Sequence, residues 1–327
     1  MTLRYPQIAR EIIDKIERTQ EEPIRAAADL FADRIAKGGL VHLFGAGHSR
    51  MGVEEIFPRI GSIVGYHPIV EMSLSYYTNV VGTMGLAQSL FLERVDGFGE
   101  VLLDNYVFDA ERDAALVISS TGINNVPVEV ALGLKKRGLT IAAITSVAHS
   151  SSVDSRHPSG KHLYEVADIV VDNCTPAGDA AIHVEGADFP VSPTSTLATV
   201  TIVHSINHLL AEGLVARGVK PLVLGSPHFA DQETARRNLA EYYAEFRRRT
   251  ARPGSDHARW PGPRRRRRHE LHQGRPLRPR GGRARHRRRR PPGGHAPPRP
   301  RRAGPRGLVR IGAPRRPYRP RRRRRTR

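Results

Sequence analysis

The sequence predicts an α/β protein whose parallel sheet is covered by helices on both faces. Short apolar runs at residues 40–44, 114–118 and 140–145 have the length of buried strands. Each run ends in small polar residues, and segments with a helical spacing of apolar side chains alternate with the runs. Strands that alternate with helices in this way are typical of a parallel sheet with crossover helices.

Residues 1–38 contain two helical patterns. Ile8, Ile12, Ile13 and Ile16 recur at helical spacing, and a second amphipathic segment covers residues 23–37. The remaining pattern predicts strands at 40–44, 67–71, 114–118, 140–145 and 168–172, and helical segments at 51–60, 82–94, 99–108, 126–137, 194–217 and 231–248.

The positive charge of the chain is confined to its C-terminal part. The 327 residues carry a formal net charge of +21. Residues 251–327 contain 30 arginines, no lysine and two acidic residues, a net charge of +28, whereas residues 1–250 carry −7. The chain therefore divides into a mildly acidic domain, residues 1–250, and an arginine-rich tail, residues 251–327.

The tail has the composition of a disordered segment. Arginine, proline and glycine make up 54 of its 77 residues, and such a chain repels itself and has little apolar surface for a core. Three origins are open: a nucleic-acid-binding arm, a low-complexity spacer, or a reading-frame artefact of GC-rich codons. The absence of lysine favours the artefact. We expect any nucleic-acid binding to be non-specific and to depend on the tail.

Residues 1–250 have the features of a cytoplasmic globular protein. About 250 residues can bury one substantial core. The chain has one cysteine, Cys174, which excludes an intramolecular disulfide. It shows no N-terminal leader and no run of about 20 apolar residues. We therefore expect a soluble protein of the cytoplasm that does not use a membrane as a partner.

The stretch DAALVISSTGINN, residues 113–125, carries the clearest signal of a ligand site. Its apolar run ends at Ser119, Ser120, Thr121 and Gly122, and a helical pattern begins near residue 126. In open α/β sheets, ligands bind at the carboxyl ends of the strands. Hydroxyls, a glycine and the N–H groups of a helix start favour an anion, most simply phosphate. An ordinary capped turn is the alternative interpretation.

Two further loops, residues 45–50 and 146–152, follow predicted strands in the same way. We expect the three loops to converge on one anion site. The first loop also resembles a dinucleotide fingerprint, but the spacing of Gly45, Gly47 and Gly52 departs from it. In that alternative, Glu71 would be the acid that binds the ribose.

Glutamates and histidines supply candidates for acid–base chemistry. Glu54 and Glu55 follow the first loop, and His204 and His208 share one face of the long helix at 194–217. Isomerisation of an aldose to a ketose needs a base and a group that polarises the carbonyl. A glutamate with the two histidines could equally bind a divalent metal. In the alternative interpretation, the two glutamates only complement the dipole of their helix, and the histidines have a structural role.

Six motifs within residues 1–250 resemble those of one family. They are GAGHS at 45–49, SSTGINN at 119–125, ITSVAHS at 144–150, SRHPSGK at 155–161, PAGDA at 176–180 and SPTST at 192–196. With them the chain resembles the SIS (sugar isomerase) domain family of phosphosugar isomerases and phosphosugar-binding proteins. Within that family it is similar to a bacterial branch of sugar isomerase domain-containing proteins, related to the phosphoheptose isomerases.

The resemblance implies a flavodoxin-like α/β/α sandwich with a five-stranded parallel sheet over residues 1–250. It implies a homodimer, with the N-terminal helices of residues 1–38 as the expected dimer contact. It implies a small-molecule sugar phosphate as the ligand. A chain of this family would end near residue 250, which favours the artefact as the origin of the tail.

The resemblance also assigns residues to the site. Glu55 or Glu54 would be the catalytic base and His204 the acid. Asn124 stands where the family usually has serine or threonine, which implies that phosphate is bound with altered geometry, since an amide can still donate. Thr196 stands where phosphoheptose isomerases have a glutamine metal ligand, so we expect no metal and no other cofactor. The implied substrate-binding residues are Gly47, His48, Ser49, Ser119, Ser120, Thr121, Gly122, Asn124, Asn125, Ser146, Thr194, Ser195 and Thr196.

The predicted function is therefore that of an aldose–ketose phosphosugar isomerase with a carboxylate base. Two alternatives use the same pocket. One is a non-catalytic phosphosugar sensor, and the other is a lyase or etherase that acts on an amino-sugar phosphate.

Overall fold

The structure, a computed structural model, describes residues 3–76 and 85–252. By its contacts the chain separates into two units, Met1–Arg264 and Arg265–Arg327. All described residues belong to the first unit. The predicted disordered tail falls on residues 251–327, of which 253–327 lie outside the described residues, so the disorder and the origin of the tail stay predictions.

Five parallel strands form the central sheet, in the order β2-β1-β3-β4-β5. Val41 lies opposite Tyr66 on one side and opposite Ala114 on the other. This strand order is that of the flavodoxin-like folds, so the predicted fold class is confirmed. The strands are β1 (Val41–Gly45), β2 (Tyr66–Ile69), β3 (Ala114–Ile118), β4 (Thr140–Thr145) and β5 (Ile169–Asp172).

Strand β3 shows that the sheet is covered on both faces. All five of its residues are buried. Leu116 and Ile118 pack into one apolar core, while Ala115 and Val117 pack into another. Because successive side chains of a strand point to opposite faces, a strand covered on both faces is apolar throughout, which is why the sequence shows an unbroken apolar run here.

The helices form a layer on each face of the sheet. They are α1 (Arg4–Ala36), α2 (Arg50–Ile56), α3 (Met72–Ser75), α4 (Gly85–Leu92), α5 (Phe98–Leu103), α6 (Asn125–Lys136), α7 (Val147–Ser150), α8 (Leu163–Val166), α9 (Ser195–Ala216) and α10 (Gln232–Thr250). Helices α1, α2 and α9 pack on the side of Leu116, and α5, α6 and α8 pack on the side of Val117. Within residues 3–76 and 85–252, no helix combines the length and the apolar character that a membrane span requires.

The N-terminal region is one helix instead of the two that the pattern predicts. Helix α1 has 33 residues and continues through Pro23. A proline inside a helix removes the N–H that would bond the carbonyl four residues earlier, here that of Thr19. Thr19 is exposed, so its carbonyl can bond water instead. The apolar face continues across the proline through Ile16 and Ile24, both buried, and holds the helix on the sheet.

Other elements are shorter than the pattern predicts. Helix α2 ends at Ile56 because Phe57 adopts an extended backbone in front of Pro58, as residues before proline commonly do. Strand β2 ends at Ile69, and α5 ends at Leu103. Of the predicted helical segment at 82–94, residues 82–84 lie outside the described residues and α4 accounts for Gly85–Leu92.

A short antiparallel hairpin, which the sequence pattern missed, lies between β5 and α9 in the chain. Its strands are β6 (Ala180–Ile182) and β7 (Val191–Pro193). The Tyr5 hydroxyl donates to the Pro193 carbonyl at 3.0 Å, which ties the hairpin to the start of α1. Three residues are too few to show an alternation of apolar and polar side chains.

Candidate functional site

A cavity of about 210 Å³ lies at the carboxyl ends of β1 and β3. The loops after these two strands line it together with α4 and the first turn of α9, as expected for an open α/β sheet. Its lining consists of Ala46, Gly47, His48, Ser49, Leu86, Ser89, Leu90, Glu93, Ser119, Ser120, Thr121, Asn124, Asp179, Ser195, Thr196 and Thr199.

The loop after β3 is shaped by hydrogen bonds of its own hydroxyls. The Gly122 N–H donates to Ser119 Oγ at 3.2 Å, and the Ser120 N–H donates to Ser49 Oγ at 3.3 Å, which joins the loops after β1 and β3. Within the described residues, the backbone N–H and the hydroxyl of Thr121 have no hydrogen-bond partner. Thr121 lines the cavity, so two donors of this loop are available to a ligand.

Gly122 shapes the loop and does not belong to the described lining of the cavity, so its predicted contact with substrate stays a prediction. Its φ is +63°, and a Cβ at this position would lie 2.6 Å from Thr145 Oγ1. Its carbonyl accepts from the Leu163 N–H at 2.8 Å. Only glycine combines this backbone with so close a neighbour, and its role is the conformation of the turn.

Asn125 and Ser146 are also absent from the described lining. The Asn125 side chain donates to the carboxylate of Asp96. Ser146 is buried, donates from its hydroxyl to the Thr175 carbonyl at 2.9 Å, and accepts from the His149 N–H at 3.2 Å as the cap of α7. The loop after β4 is therefore occupied by structural hydrogen bonds, and only two of the three predicted loops line the cavity.

Asp179 organises the start of α9. Its Oδ1 accepts from the backbone N–H groups of Thr194 at 2.8 Å and Ser195 at 2.7 Å, and its Oδ2 accepts from the Ser195 hydroxyl at 2.7 Å. Thr194 is buried and donates its hydroxyl to the Asp179 carbonyl, so Thr194 is absent from the described lining, whereas Ser195 and Thr196 belong to it. The carboxylate thus satisfies N–H groups that a helix start leaves open.

Glu55 and His204 form the pair that the sequence predicts. His204 Nε2 and Glu55 Oε1 are 3.1 Å apart, and Arg59 Nη1 lies 3.2 Å from Glu55 Oε2. Glu54 pairs with Arg50 instead. None of Glu54, Glu55 and His204 belongs to the described lining of the cavity, and their catalytic roles stay predictions.

The structure does not assemble the predicted metal-binding group. His208 pairs with Glu212 at 3.0 Å, on the same helix face, and not with Glu55. Among residues 3–76 and 85–252, no group of three His, Cys, Asp or Glu side chains is placed to hold a metal ion.

Residues of the dinucleotide alternative have structural roles. Glu71 Oε2 accepts from the Leu74 N–H at 2.8 Å and caps α3. A Cβ on Gly52 would lie 2.6 Å from Thr199 Cγ2 and 2.9 Å from Ile118 Cδ1. Gly52 is therefore required where α2 packs against α9 and β3, so neither residue supports a nucleotide site.

Sequence reasoning missed the contribution of α4 and, above all, of Glu93, which directly follows the last residue of that helix. Leu86, Ser89, Leu90 and Glu93 line the cavity, and their spacing of three and four residues places them on one helix face. Burial raises the pKa of Glu93, and a hydrogen bond from the Asn124 side chain lowers it. The i, i+3, i+4, i+7 spacing of these four residues was the signal available in the sequence.

Comparisons with known proteins agree with the fold and the motifs. A model of the SIS domain matches residues 4–146. A UPF0309 protein of Geobacillus sp. (strain WCH70) is 34% identical over 249 residues, covering 75% of this chain and 96% of that protein. A UPF0309 protein of Caldanaerobacter subterraneus subsp. tengcongensis is 34% identical over 234 residues, covering 71% of this chain and 92% of that protein.

Solved structures show weaker similarity. A phosphoheptose isomerase from Francisella tularensis has a TM-score of 0.39 at 14% identity, covering 64% of this chain and 95% of that one. The NanR protein of Vibrio vulnificus complexed with ManNAc-6P has a TM-score of 0.36 at 10% identity, covering 73% of this chain and 67% of that one. TM-scores this low do not indicate a shared function. The sequence relatives do establish the family: the chain belongs to the SIS domain family, among the UPF0309 proteins.

Proposed function

We propose that this chain binds a phosphorylated sugar in the cavity and interconverts its aldose and ketose forms. Thr121 carries the proposal. It lines the cavity after a buried strand, and its N–H and hydroxyl have no partner within the described residues. An anion such as phosphate satisfies two donors of this kind. Membership of the SIS domain family supports a phosphosugar as the source of that phosphate.

The rest of the lining suits a small polyhydroxylated ligand. Hydroxyls of Ser49, Ser195 and Thr196 offer hydrogen bonds, and Leu86 and Leu90 offer apolar surface for a sugar carbon chain. A volume of about 210 Å³ is below the roughly 300–1,000 Å³ of sites for drug-sized molecules. The size therefore favours a sugar phosphate over a dinucleotide.

We also propose that the chain forms a homodimer and is located in the cytoplasm. Helices α1 and α9 lie side by side, and a groove of about 430 Å³ between them is lined by Ile13 and Leu209 among others. A second copy packed here would use the N-terminal helix, as the sequence predicts. Light scattering should give twice the chain mass of 36.3 kDa. A mass of one chain would contradict the dimer.

The binding function is tested by thermal shift on the full chain. The probes are aldose 5- and 6-phosphates, inorganic phosphate and NAD. Because the arginine-rich tail also attracts anions, the informative signal is the part of the shift that the Ser120→Ala/Thr121→Ala double variant loses. Ser151→Ala/Ser152→Ala, two exposed serines with hydroxyls bonded to their own turn, is the matched control.

We expect sugar phosphates to stabilise the wild type and the control and to lose that effect in the double variant. Stabilisation by NAD alone would overturn the proposal. NMR of the bound sugar phosphates then separates the two activities: appearance of the ketose supports the isomerase, and binding without conversion supports the sensor.

A further inference from the structure

Two carboxylates belong to the described lining of the cavity, and they differ in what they are free to do. Asp179 uses both oxygens on the start of α9, at 2.7–2.8 Å from three donors. Both oxygens of Asp179 are therefore already engaged in hydrogen bonds. Glu93 receives a side-chain hydrogen bond from Asn124, so Glu93 is the better candidate to take a proton from a ligand.

An arginine and an amide hold this glutamate in place. Arg156 Nη1 donates to Asn124 Oδ1 at 2.7 Å. A guanidinium has no acceptor, so the amide oxygen must face Arg156 and the NH₂ group is left to face the Glu93 carboxylate. The order Arg156, Asn124, Glu93 thus holds the carboxylate of a residue that lines the cavity.

A main-chain hydrogen bond also holds Glu93 in place. The Val126 N–H, in the first turn of α6, donates to the Glu93 carbonyl at 3.0 Å. Helix α6 begins directly after the loop that holds Ser119, Ser120 and Thr121. Glu93 is thus tied to the proposed phosphate loop by one main-chain and one side-chain route.

The protonation behaviour of Glu93 agrees with this placement. Burial is the largest influence and raises its pKa, while the Asn124 hydrogen bond and the charges of Arg94 and Arg156 oppose the rise. A carboxylate with a raised pKa is a stronger base than one in water.

From this geometry we infer that Glu93 is the general base of the proposed isomerase and that Asn124 and Arg156 are its positioning residues. The inference rests on the proposed function and names its base. Glu93 removes the proton from C2 of the open-chain aldose, and the C–H electron pair forms the C1=C2 double bond as O1 gains a proton. The enediol then loses the O2 proton, and Glu93 returns its proton to C1 to give the ketose. The carbonyl oxygen O1 of the aldose gains one proton and the hydroxyl oxygen O2 loses one, so the ketose has the same composition as the aldose.

The test follows solvent deuterium into a panel of aldose 5- and 6-phosphates by NMR, with the full chain in D₂O. We expect the Glu93→Gln variant to exchange at least about 100-fold more slowly than the wild type, the lower bound for loss of a general base. The part of the thermal stabilisation by inorganic phosphate that Ser120→Ala/Thr121→Ala removes should persist in Glu93→Gln, which shows that the site has folded. Glu111→Gln, an exposed glutamate at the opposite edge of the sheet, is the charge-matched control.

The Asn124→Ala variant tests the positioning role through the pH dependence of the exchange rate, which would not change if Asn124 had only a structural role. Because the Asn124 hydrogen bond lowers the pKa of Glu93, its loss should move the acid limb of the rate profile to higher pH. Exchange by Glu93→Gln within about threefold of the wild type, or exchange that is lost only in Glu55→Gln, overturns the inference and leaves the isomerase standing. If the wild type binds sugar phosphates and exchanges none of them, the proposed isomerase fails, and the role of Glu93 fails with it.

Discussion

The guanidinium of Arg252 binds the buried carboxylate of Asp113 at two points, with Arg252 Nη2 and Asp113 Oδ1 2.6 Å apart. Asp113 has no exposed surface, and it also accepts from the Leu40 N–H at 2.8 Å and lies 3.0 Å from His42 Nε2. The charge of this carboxylate is therefore balanced by a residue at position 252. The folded unit extends two residues into the segment that the composition assigned to the tail, because Arg252 pairs with the sheet.

Loss of this ion pair should destabilise the domain. In Arg252→Ala, Asp113 keeps its burial without its cation, and breaking one partner of a buried pair costs roughly 3–5 kcal/mol. Denaturant unfolding followed by circular dichroism measures the free energy of unfolding. The control is Arg237→Ala on the exposed side of α10. Equal unfolding free energies for the two variants would show that the pair contributes nothing.

The stability of the domain should fall as the pH drops from about 6.5 towards 4. Burial lowers the pKa of His42, and it lowers that of His67 to about 3. In the unfolded chain both histidines bind a proton near pH 6.5, so their contribution is complete above that pH and is lost on acidification. The slope approaches about 1.4 kcal/mol per pH unit for each histidine.

The variant that checks this slope is His67→Phe. Its unfolding free energy should fall less steeply between pH 6.5 and 4 than that of the wild type, whereas His228→Gln, which alters an exposed histidine, should keep the wild-type slope. The pKa of Asp113 is also lowered, since hydrogen bonds from His42 and Arg252 outweigh its burial. Its contribution is therefore lost only at lower pH. Identical slopes in wild type and His67→Phe would refute the assignment.

Asp179→Asn should weaken both stability and ligand binding. Asp179 has a φ of +68°, a conformation that asparagine tolerates, so the exchange removes charge without new backbone strain. Loss of a charged cap at the start of α9 costs roughly 0.5–2 kcal/mol. Thermal unfolding with and without a sugar phosphate measures both effects, and Asp188→Asn in the hairpin is the exposed control. An unchanged ligand-induced shift would separate Asp179 from the binding site.

Deletion of residues 253–327 should abolish binding to nucleic acid. The deletion removes 29 arginines and retains Arg252 with its ion pair. Full-length protein should be retained on immobilised DNA at low salt and released steeply as salt rises, since the contacts are to phosphate. The shortened chain should pass through the column with an unchanged unfolding free energy. Retention of the shortened chain would place a nucleic-acid site on the domain itself.

The sheet could be predicted from the sequence because its strands are buried on both faces. The run at Ala114–Ile118 and the small residues after it suffice to mark a strand and a loop at its carboxyl end. The loop residues Ser119, Ser120 and Thr121 do line the cavity, as do Ser49 and Ser195. These features are local, because the residues next to one another in the chain are enough to predict them.

The features of the site and the fold that could not be predicted depend on contacts between distant parts of the chain. Ser146 has the same local pattern as Ser119, yet its hydroxyl is taken by the carbonyl of Thr175. The helical spacing of Glu93 gives no sign of its contacts with Asn124 and with the Val126 N–H, which lie about thirty residues away. The continuation of α1 through Pro23 depends in the same way on the core beneath it.

The main-chain hydrogen bond from Val126 to Glu93 bears on the length of sugar that the proposed isomerase would accept. It ties Glu93 to the first turn of α6, directly after the loop that holds Thr121. If Thr121 binds the phosphate and Glu93 takes the proton, the fold sets the distance between those two points before the ligand arrives. We would then expect the proposed reaction to depend on the carbon number of the sugar phosphate.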